Sequence, residues 1–318
     1  MGFIAGTSRY LPENTIYNKD LVQFPEKYRE LIREKAGILS RRHVDTECTS
    51  DIGAKAVQLL LDKNDISSDS IDALICATSS PDRIQPATAT RIQELCHLNR
   101  AFCFDVNSVC CGSLFALKIA NSLVNDGLSN VIVVGAEVYS KILNPRDITT
   151  YPYFGDGAGA VLLSKNGKYE FIDFLLYTDG KGCDVIQIPA GGTSLPYSKV
   201  TREKDYYFQM NGPKVYDFAC AKGMDIILQL KTKHNVFPDR VITHQANINI
   251  IKCIAEKSAI PYKQFYVNVD KYANTAAASV LIALDEYLEI DKGEENVFLV
   301  AFGGGLSWAG AYLRKTKD

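Results

Sequence analysis

Cys110 and Cys111 stand in the segment Phe104-Asp105-Val106-Asn107-Ser108-Val109-Cys110-Cys111-Gly112-Ser113-Leu114, between a β-rich run (101–106) and an apolar helical run (113–124). A thiol at a strand-to-helix corner sits at the positive end of the helix, where the dipole and free backbone N–H groups favour the thiolate. Free cysteine titrates at roughly 8.5, and such settings lower this to about 3.5–7.5. Spacing alone leaves open which of the two is the nucleophile, and a small buried core residue is the plainer use of either. His244 ends a second apolar run and precedes Gln245-Ala246-Asn247. Ligands bind at strand ends in open α/β folds, and a neutral imidazole there can donate a hydrogen bond to a thioester carbonyl. Asn274 follows a β-rich run (265–269) and precedes Thr275-Ala276-Ala277-Ala278-Ser279. By itself it fits a helix cap. Beside the thiol and the imidazole, its amide becomes a second donor to the same carbonyl.

Gly303-Gly304-Gly305 closes an apolar strand, so a backbone N–H there can approach a ligand closely and complete an oxyanion hole. Phe154-Gly155-Asp156-Gly157-Ala158-Gly159-Ala160 has the glycines of a nucleotide loop, yet it runs into a strand (161–163) where the dinucleotide motif needs a helix. It is set aside. His43, His97 and His234 lie in no comparable setting.

The elements that must position these groups read as alternating strands and helices. Continuous apolar runs at 71–78, 131–136, 240–244 and 297–303 are expected strands with both faces covered by helices. Helical patterns are expected at 51–62, 89–96, 113–125, 213–230, 248–258 and 276–288, and the opening Met1–Gly6 reads as a strand. The run at 240–244 plays the part of 71–78, and 297–303 that of 131–136. Two duplicated α/β halves, 1–165 with the thiol and 166–318 with His and Asn, are the simplest architecture. The chemistry belongs where they meet.

Composition narrows the class. The 318 residues are 47% hydrophobic and 23% charged, with a formal net charge of −2, which argues against a nucleic-acid binder. The start lacks a charged leader and a long apolar core, position 6 is Gly rather than Ser or Thr, and no apolar run reaches membrane-spanning length. Nine cysteines without an export signal read as reduced thiols of a cytoplasmic protein. No CxxC or HExxH spacing occurs, so no metal is expected.

The ordered set of motifs resembles β-ketoacyl-acyl-carrier-protein synthase III, of the thiolase-fold condensing enzymes. It runs through Gly6-Thr7 with Tyr10-Leu11-Pro12-Glu13, Ala36-Gly37-Ile38 with Arg41-Arg42, and Phe104-Asp105-Val106 with Cys110 and Gly112. It continues through Phe154–Ala160, His244-Gln245-Ala246-Asn247, Asn274-Thr275 with Ala277-Ala278-Ser279, and Phe302-Gly303-Gly304-Gly305 with Ser307-Trp308. The resemblance places the nucleophile on Cys110. It implies a five-layered αβαβα fold, a homodimer, and no cofactor beyond an acyl-coenzyme A or acyl-carrier thioester as substrate. It further implies that Cys110 takes the acyl group, that His244 and Asn274 stabilise the enolate formed when a malonyl thioester loses CO2, and that the N–H groups of Cys110 and Gly304 hold the tetrahedral oxyanion.

Departures from the family pattern refine the expectation. Leu31 and Ile148 stand where an aromatic–cation pair sandwiches the adenine of coenzyme A. Pro213, after Gly212, replaces an asparagine that contacts the pantetheine arm, and Ala246 and Asn247 lie on the same substrate path. Ala273 replaces a glycine, Asn249 an arginine for the carrier, and Gln85 a phenylalanine that closes the partner's acyl pocket across the dimer. A lost cation–π contact of about 0.5–2 kcal/mol points away from acetyl-coenzyme A and toward a carrier-bound or unusual donor in a specialised pathway. Pocket size is expected to depend on loops around Gln85 and 191–204. The competing readings are acyl transfer from cysteine to an oxygen, nitrogen or other carbon nucleophile, and a non-catalytic partner subunit, which intact Cys110, His244 and Asn274 disfavour. A hydroxymethylglutaryl-type reaction would need a carboxylate base near the thiol, and the turn around Cys110 contains no glutamate.

Overall fold

The computed structural model describes residues 2–290 and 293–316. Ten strands form one sheet: β1 (Phe3–Tyr10), β4 (Ala73–Ala77), β5 (Phe102–Val106), β6 (Asn130–Glu137), β7 (Gly157–Ser164), β8 (Tyr169–Thr178), β11 (Arg240–Thr243), β12 (Phe265–Tyr266), β13 (Asn296–Gly303) and β14 (Ser307–Lys315). Two small pairs lie outside it, β2 (Thr15–Tyr17) with β3 (Ser40–Arg42), and β9 (Ile186–Gln187) with β10 (Gln209–Met210). The helices are α1 (Glu26–Ala36), α2 (Thr49–Lys63), α3 (Thr88–Leu95), α4 (Gly112–Asn125), α5 (Gly212–His234), α6 (Ile248–Ser258), α7 (Val269–Tyr272) and α8 (Ser279–Ile290).

Read outward from its middle, the sheet runs β1-β7-β6-β4-β5 on one side and β8-β14-β13-β11-β12 on the other. Each strand in the second series is numbered seven above its counterpart in the first. Directions repeat as well: β4 is parallel to β5 and β6, as β11 is to β12 and β13, while β7 and β14 are antiparallel to their neighbours. The two series meet along β1 and β8, where Phe3 pairs with Glu170 and Ile4 with Tyr169.

Five layers result. Helices α2 and α3 cover the outer face of the first series through Ile52, Val57, Leu60 and Ile92. Helices α5 and α6 cover the second through Ile226, Ile227, Ile251 and Ile254. Between the series lie α4 and α8, packed on both by Leu114, Leu117, Val280, Leu281 and Leu284. A helix between two sheets has no solvent face, and α8 is buried continuously from Ser279 to Tyr287. Its two acids in that run do not stay bare. Arg9 pairs with Asp285, and Asn268 and Tyr272 hydrogen-bond Glu286.

The expected strands and helices are present with ends shifted by a few residues. Among the longer elements α1, β8 and β14 went unread, and so did the short β2, β3, β9, β10 and α7. The β-rich run at 265–269 splits into the two-residue β12 and the start of α7, because Asn268 turns the chain before Val269. Met1, grouped with the opening strand, lies outside the described residues. No helix among the described residues is long and apolar enough to cross a membrane.

Candidate active site

The carboxyl ends of the parallel strands deliver the chemistry. After β5 the chain turns through Val109, whose φ of +46° is unusual for a β-branched residue. It then enters a single 3-10 turn (Val109–Cys111) that leads into α4. Cys110 is 6% exposed and faces an apolar group that includes Phe154, Phe208 and Ala276. Its neighbour Cys111 turns inward, donating its thiol to the Ser307 carbonyl at 3.1 Å. Here the geometry itself separates the doublet, because Cys110 lines the cavity and Cys111 does not.

The electrostatics of Cys110 differ from the expectation of a thiolate favoured by the helix. Burial pushes its thiol well above the ordinary range, the charge of Glu137 pushes the same way, and a hydrogen bond with its own backbone N–H opposes both weakly. Desolvation outweighs the helix end because the turn is lined by carbon rather than by water or cations. The resting group is therefore a neutral thiol.

His244 follows β11 and is 2% exposed. Burial pushes its imidazole down to about 3, so it is neutral near pH 7. Its Nδ1 lies 2.6 Å from Ser279 Oγ, and its ring packs edge-on against Phe302 at 5.4 Å. The Gln245 N–H donates to Ser279 Oγ at 3.4 Å, and the hydroxyl stays free to donate its own proton to Nδ1. Nδ1 then accepts, and the ring proton resides on Nε2. Gln245 itself is a brace: its amide donates to Thr243 and Tyr266 carbonyls and accepts from the Asn268 and Val269 N–H groups.

Asn274 is held by its main chain, with its N–H on the Tyr153 carbonyl and its carbonyl accepting from Gly155, both at 3.0 Å. The loop set aside as a nucleotide motif is thus a scaffold for Asn274. Its Oδ1 accepts the Ala276 N–H at 2.8 Å, leaving the NH2 group as donor. Close approach is enforced around it. A Cβ on Gly135 would lie 2.6 Å from Ser113 Oγ and 2.9 Å from the Ala277 carbonyl.

Cys110, His244 and Asn274 open onto one cavity of about 610 Å³. Of the expected substrate-path residues, Leu31, Ile148, Gly212, Pro213, Ala246 and Asn247 line it. Asn247 also caps α6 by accepting from the Asn249 N–H, and both asparagines donate to the Lys35 carbonyl. Gln85 does not reach the cavity of its own chain. It is exposed, on the loop before α3. Gly303 is the glycine that meets the thiol, since a Cβ there would lie 2.9 Å from Cys110 Cβ. Gly304 follows, against Val109 and Ile186. The segment 191–204 stays off the cavity, and the residues flanking it, Ile186, Phe208 and Met210, form the wall instead. Tyr139, Phe154 and Phe208 make an aromatic trio with centroids 4.8–5.4 Å apart. Among the described lining residues, Lys35 is the one charged side chain.

Sequence reading missed Glu137, which ends β6 fully buried beside this site. Burial pushes its carboxyl up to about 7, against hydrogen bonds from Ser80 and Ser79 that pull it down. The turn around Cys110 indeed holds no glutamate; this one arrives from another strand, with its oxygens already taken by donors.

Comparison with known proteins agrees with this assembly. Residues 104–180 match the model for 3-oxoacyl-[acyl-carrier-protein (ACP)] synthase III, and residues 238–315 match that for its C-terminal part. The chain is 36% identical to a β-ketoacyl-[acyl-carrier-protein] synthase III of Clostridium novyi over 317 residues, 98% of this chain and 97% of the relative. It is 37% identical to one of Clostridioides difficile over 322 residues, 98% of each. The crystal structure of the Thermus thermophilus synthase III superposes with a TM-score of 0.90 at 34% identity, covering 99% of this chain and 100% of that one.

Proposed function

This chain belongs to the 3-oxoacyl-[acyl-carrier-protein] synthase III family of thiolase-fold condensing enzymes, and on that premise we propose how its residues divide the work. It is an acyltransferase that performs decarboxylative Claisen condensation. In the first half-reaction the Cys110 sulfur displaces the donor's thiol: the acyl–sulfur bond of the donor breaks, the acyl–Cys110 bond forms, and the thiol proton leaves with the released thiol. In the second, a malonyl thioester loses CO2, and the electron pair left on carbon is held as an enolate by His244 Nε2–H and the Asn274 NH2. That carbon attacks acyl-Cys110, giving the 3-oxoacyl thioester and regenerating the thiol with one proton. Backbone N–H groups of Cys110 and Gly304 hold the tetrahedral oxyanion. Losing one such donor costs about a hundred- to thousandfold in rate.

The observation that carries this reading is the convergence of a thiol with two neutral donors, an imidazole and an amide, on one apolar cavity. Neutral donors suit an enolate because they strengthen as charge develops in a dry site. At the mouth, Leu31 and Ile148 offer no cation–aromatic sandwich, Lys35 is the one charged side chain among the described lining residues, and the aromatic there is Tyr28, with Lys27 over its ring. The mouth therefore favours a donor on a carrier's phosphopantetheine arm over one on coenzyme A. The protein works as a homodimer through the free edge of β5, where Phe102 is half exposed and stacks on Phe104, with Ile84 bare on the adjoining loop. An unpaired, apolar strand edge of this kind is a template for a second chain.

Intact-protein mass spectrometry with a panel of acyl-coenzyme A and acyl-carrier thioesters tests the reading. One acyl adduct on the wild type, absent in Cys110→Ala and present in Cys111→Ala, is expected, with CO2 released when malonyl thioester follows. Loss of the adduct only in Cys111→Ala, or no CO2, would overturn it. Sedimentation velocity tests the dimer.

A further inference from the structure

The two half-reactions leave the buried carboxylate beside Cys110 without a role. Glu137 receives the N–H and Oγ of both Ser79 and Ser80, the Thr78 hydroxyl, and the Ala277 N–H, at 2.5–3.4 Å. These donors come from two places. Thr78, Ser79 and Ser80 follow β4, and Ala277 lies in the turn that presents Asn274, next to the Ala276 N–H that fixes the Asn274 amide. Ser79 Oγ also meets the Tyr139 hydroxyl at 2.9 Å. The Tyr139 ring lies flat on Phe154 in the apolar group that shelters Cys110. One carboxylate thus ties together the end of β4, the Tyr139 wall and the Asn274 turn.

Its charge also acts on the nucleophile. The groups around it are the Cys110 thiol, the Tyr139 hydroxyl and the Cys76 thiol, with Asp105 and Asp82 beyond Cys76. With its lone pairs occupied, Glu137 is no base for substrate. We propose that Glu137 is a positioning residue of the condensation: it holds the Asn274 turn and the Tyr139 wall in register behind Cys110. When ionised, its charge adds to the burial that already keeps that thiol protonated. The inference rests on the reading that Cys110 and Asn274 carry the reaction. Ionised Glu137 opposes a second negative charge nearby, so removing its charge favours the thiolate.

The test compares wild type with Glu137→Gln and Glu137→Asp, following carbamidomethylation of the Cys110 peptide against pH and malonyl decarboxylation. In Glu137→Gln the alkylation profile shifts to lower pH, with the rate rising roughly tenfold for each pKa unit recovered. Decarboxylation turnover falls about tenfold with KM little changed, the loss expected for about 1.4 kcal/mol of positioning. Glu137→Asp keeps the charge and therefore the wild-type alkylation profile. A folded Glu137→Gln with unchanged alkylation profile and turnover overturns the proposal. Should Glu137→Gln not fold, Glu137→Asp decides. The wild-type alkylation profile is then set beside that of Glu137→Asp, whose shorter side chain cannot reach all of these donors: unchanged decarboxylation turnover in Glu137→Asp overturns the proposal. If wild type takes no acyl group from any donor, the functional reading fails, while the alkylation arm still judges Glu137.

Discussion

The Ser279 hydroxyl, 2.6 Å from His244 Nδ1, decides which nitrogen of the imidazole carries the proton. With the Gln245 N–H as a donor to the same oxygen, Ser279 is free to donate to Nδ1, and on the proposed mechanism Nε2–H then faces the substrate. Ser279→Ala should free the ring to sample the other tautomer. One hydrogen bond contributes about 0.5–1.5 kcal/mol, so malonyl decarboxylation should slow by up to roughly tenfold. Acylation of Cys110 should persist. Equal losses in both half-reactions would mean that Ser279 merely supports the fold.

Asn274→Ala removes a donor needed only when the enolate forms. Decarboxylation should fall about a hundred- to thousandfold. Single-turnover acylation of Cys110, read by intact mass, should change little. If acylation collapses alongside, Asn274 serves the donor half-reaction instead.

Ala273, just before Asn274, has φ +57° and ψ −157°, a region that glycine tolerates and alanine does not. The conformation persists because Tyr153 and Gly155 clamp the next residue from both sides. Such strain costs on the order of 1–3 kcal/mol, while glycine gives back about 0.5–1 kcal/mol through unfolded-state entropy. Ala273→Gly should therefore raise the urea midpoint modestly with the slope unchanged. A lower midpoint would show that the Ala273 methyl, packed with Ile38 and Val269, matters more than the backbone.

Phe208 completes the aromatic trio beyond Cys110 and is buried. Phe208→Ala should let longer acyl donors acylate Cys110 while costing about 3–5 kcal/mol of stability. Mass spectrometry across a chain-length series gives the answer, and an unaltered preference would place the limiting wall elsewhere.

Two buried groups tilt stability in opposite directions with pH. His244 falls to about 3 on folding, from roughly 6.5 in an open chain. Its contribution is full above the open-chain value and is lost as pH drops from there toward 3. Glu137 rises to about 7 from roughly 4.3, so the folded state binds its proton more tightly. Its contribution is full in acid and is lost as pH climbs through 7. Glu137→Gln should therefore gain on wild type in urea unfolding as pH increases from about 5 to about 8. A constant difference over that window would mean the carboxyl titrates normally.

Much of this was readable from residue pattern. Parallel strands buried on both faces announce themselves as apolar runs, which is why β4, β6, β11 and β13 stood out. Strands β8 and β14 did not, because Glu170 and Asp173 interrupt one and the other leans on Ala and Gly. Helix α1 is dominated by charge, and its inward residues, Ile32 and Ala36, are too few to show a stripe. Cys110 and His244 were legible because each follows a strand, and Asn274 because it precedes the small-residue run that leads into α8. Glu137 was not, since a carboxylate at the end of an apolar strand looks like the first residue of a loop. Only tertiary structure reveals the serines and the Asn274 turn that meet it. The thiol's electrostatics were misjudged for a related reason: the helix end is visible in one dimension, and the carbon wall around it is not.

Part of the wall that shelters Cys110 is made long after the cysteine itself. Gly303 and Phe302 close over the thiol from β13, and the imidazole arrives 134 residues (244 − 110) after the cysteine. At roughly 5–20 residues per second, the 193 residues (303 − 110) between the thiol and its lid take roughly 10–40 seconds to synthesise. During translation Cys110 is an ordinary reactive cysteine, exposed to whatever oxidants or electrophiles the ribosome's surroundings contain. Its protected state belongs only to the finished molecule.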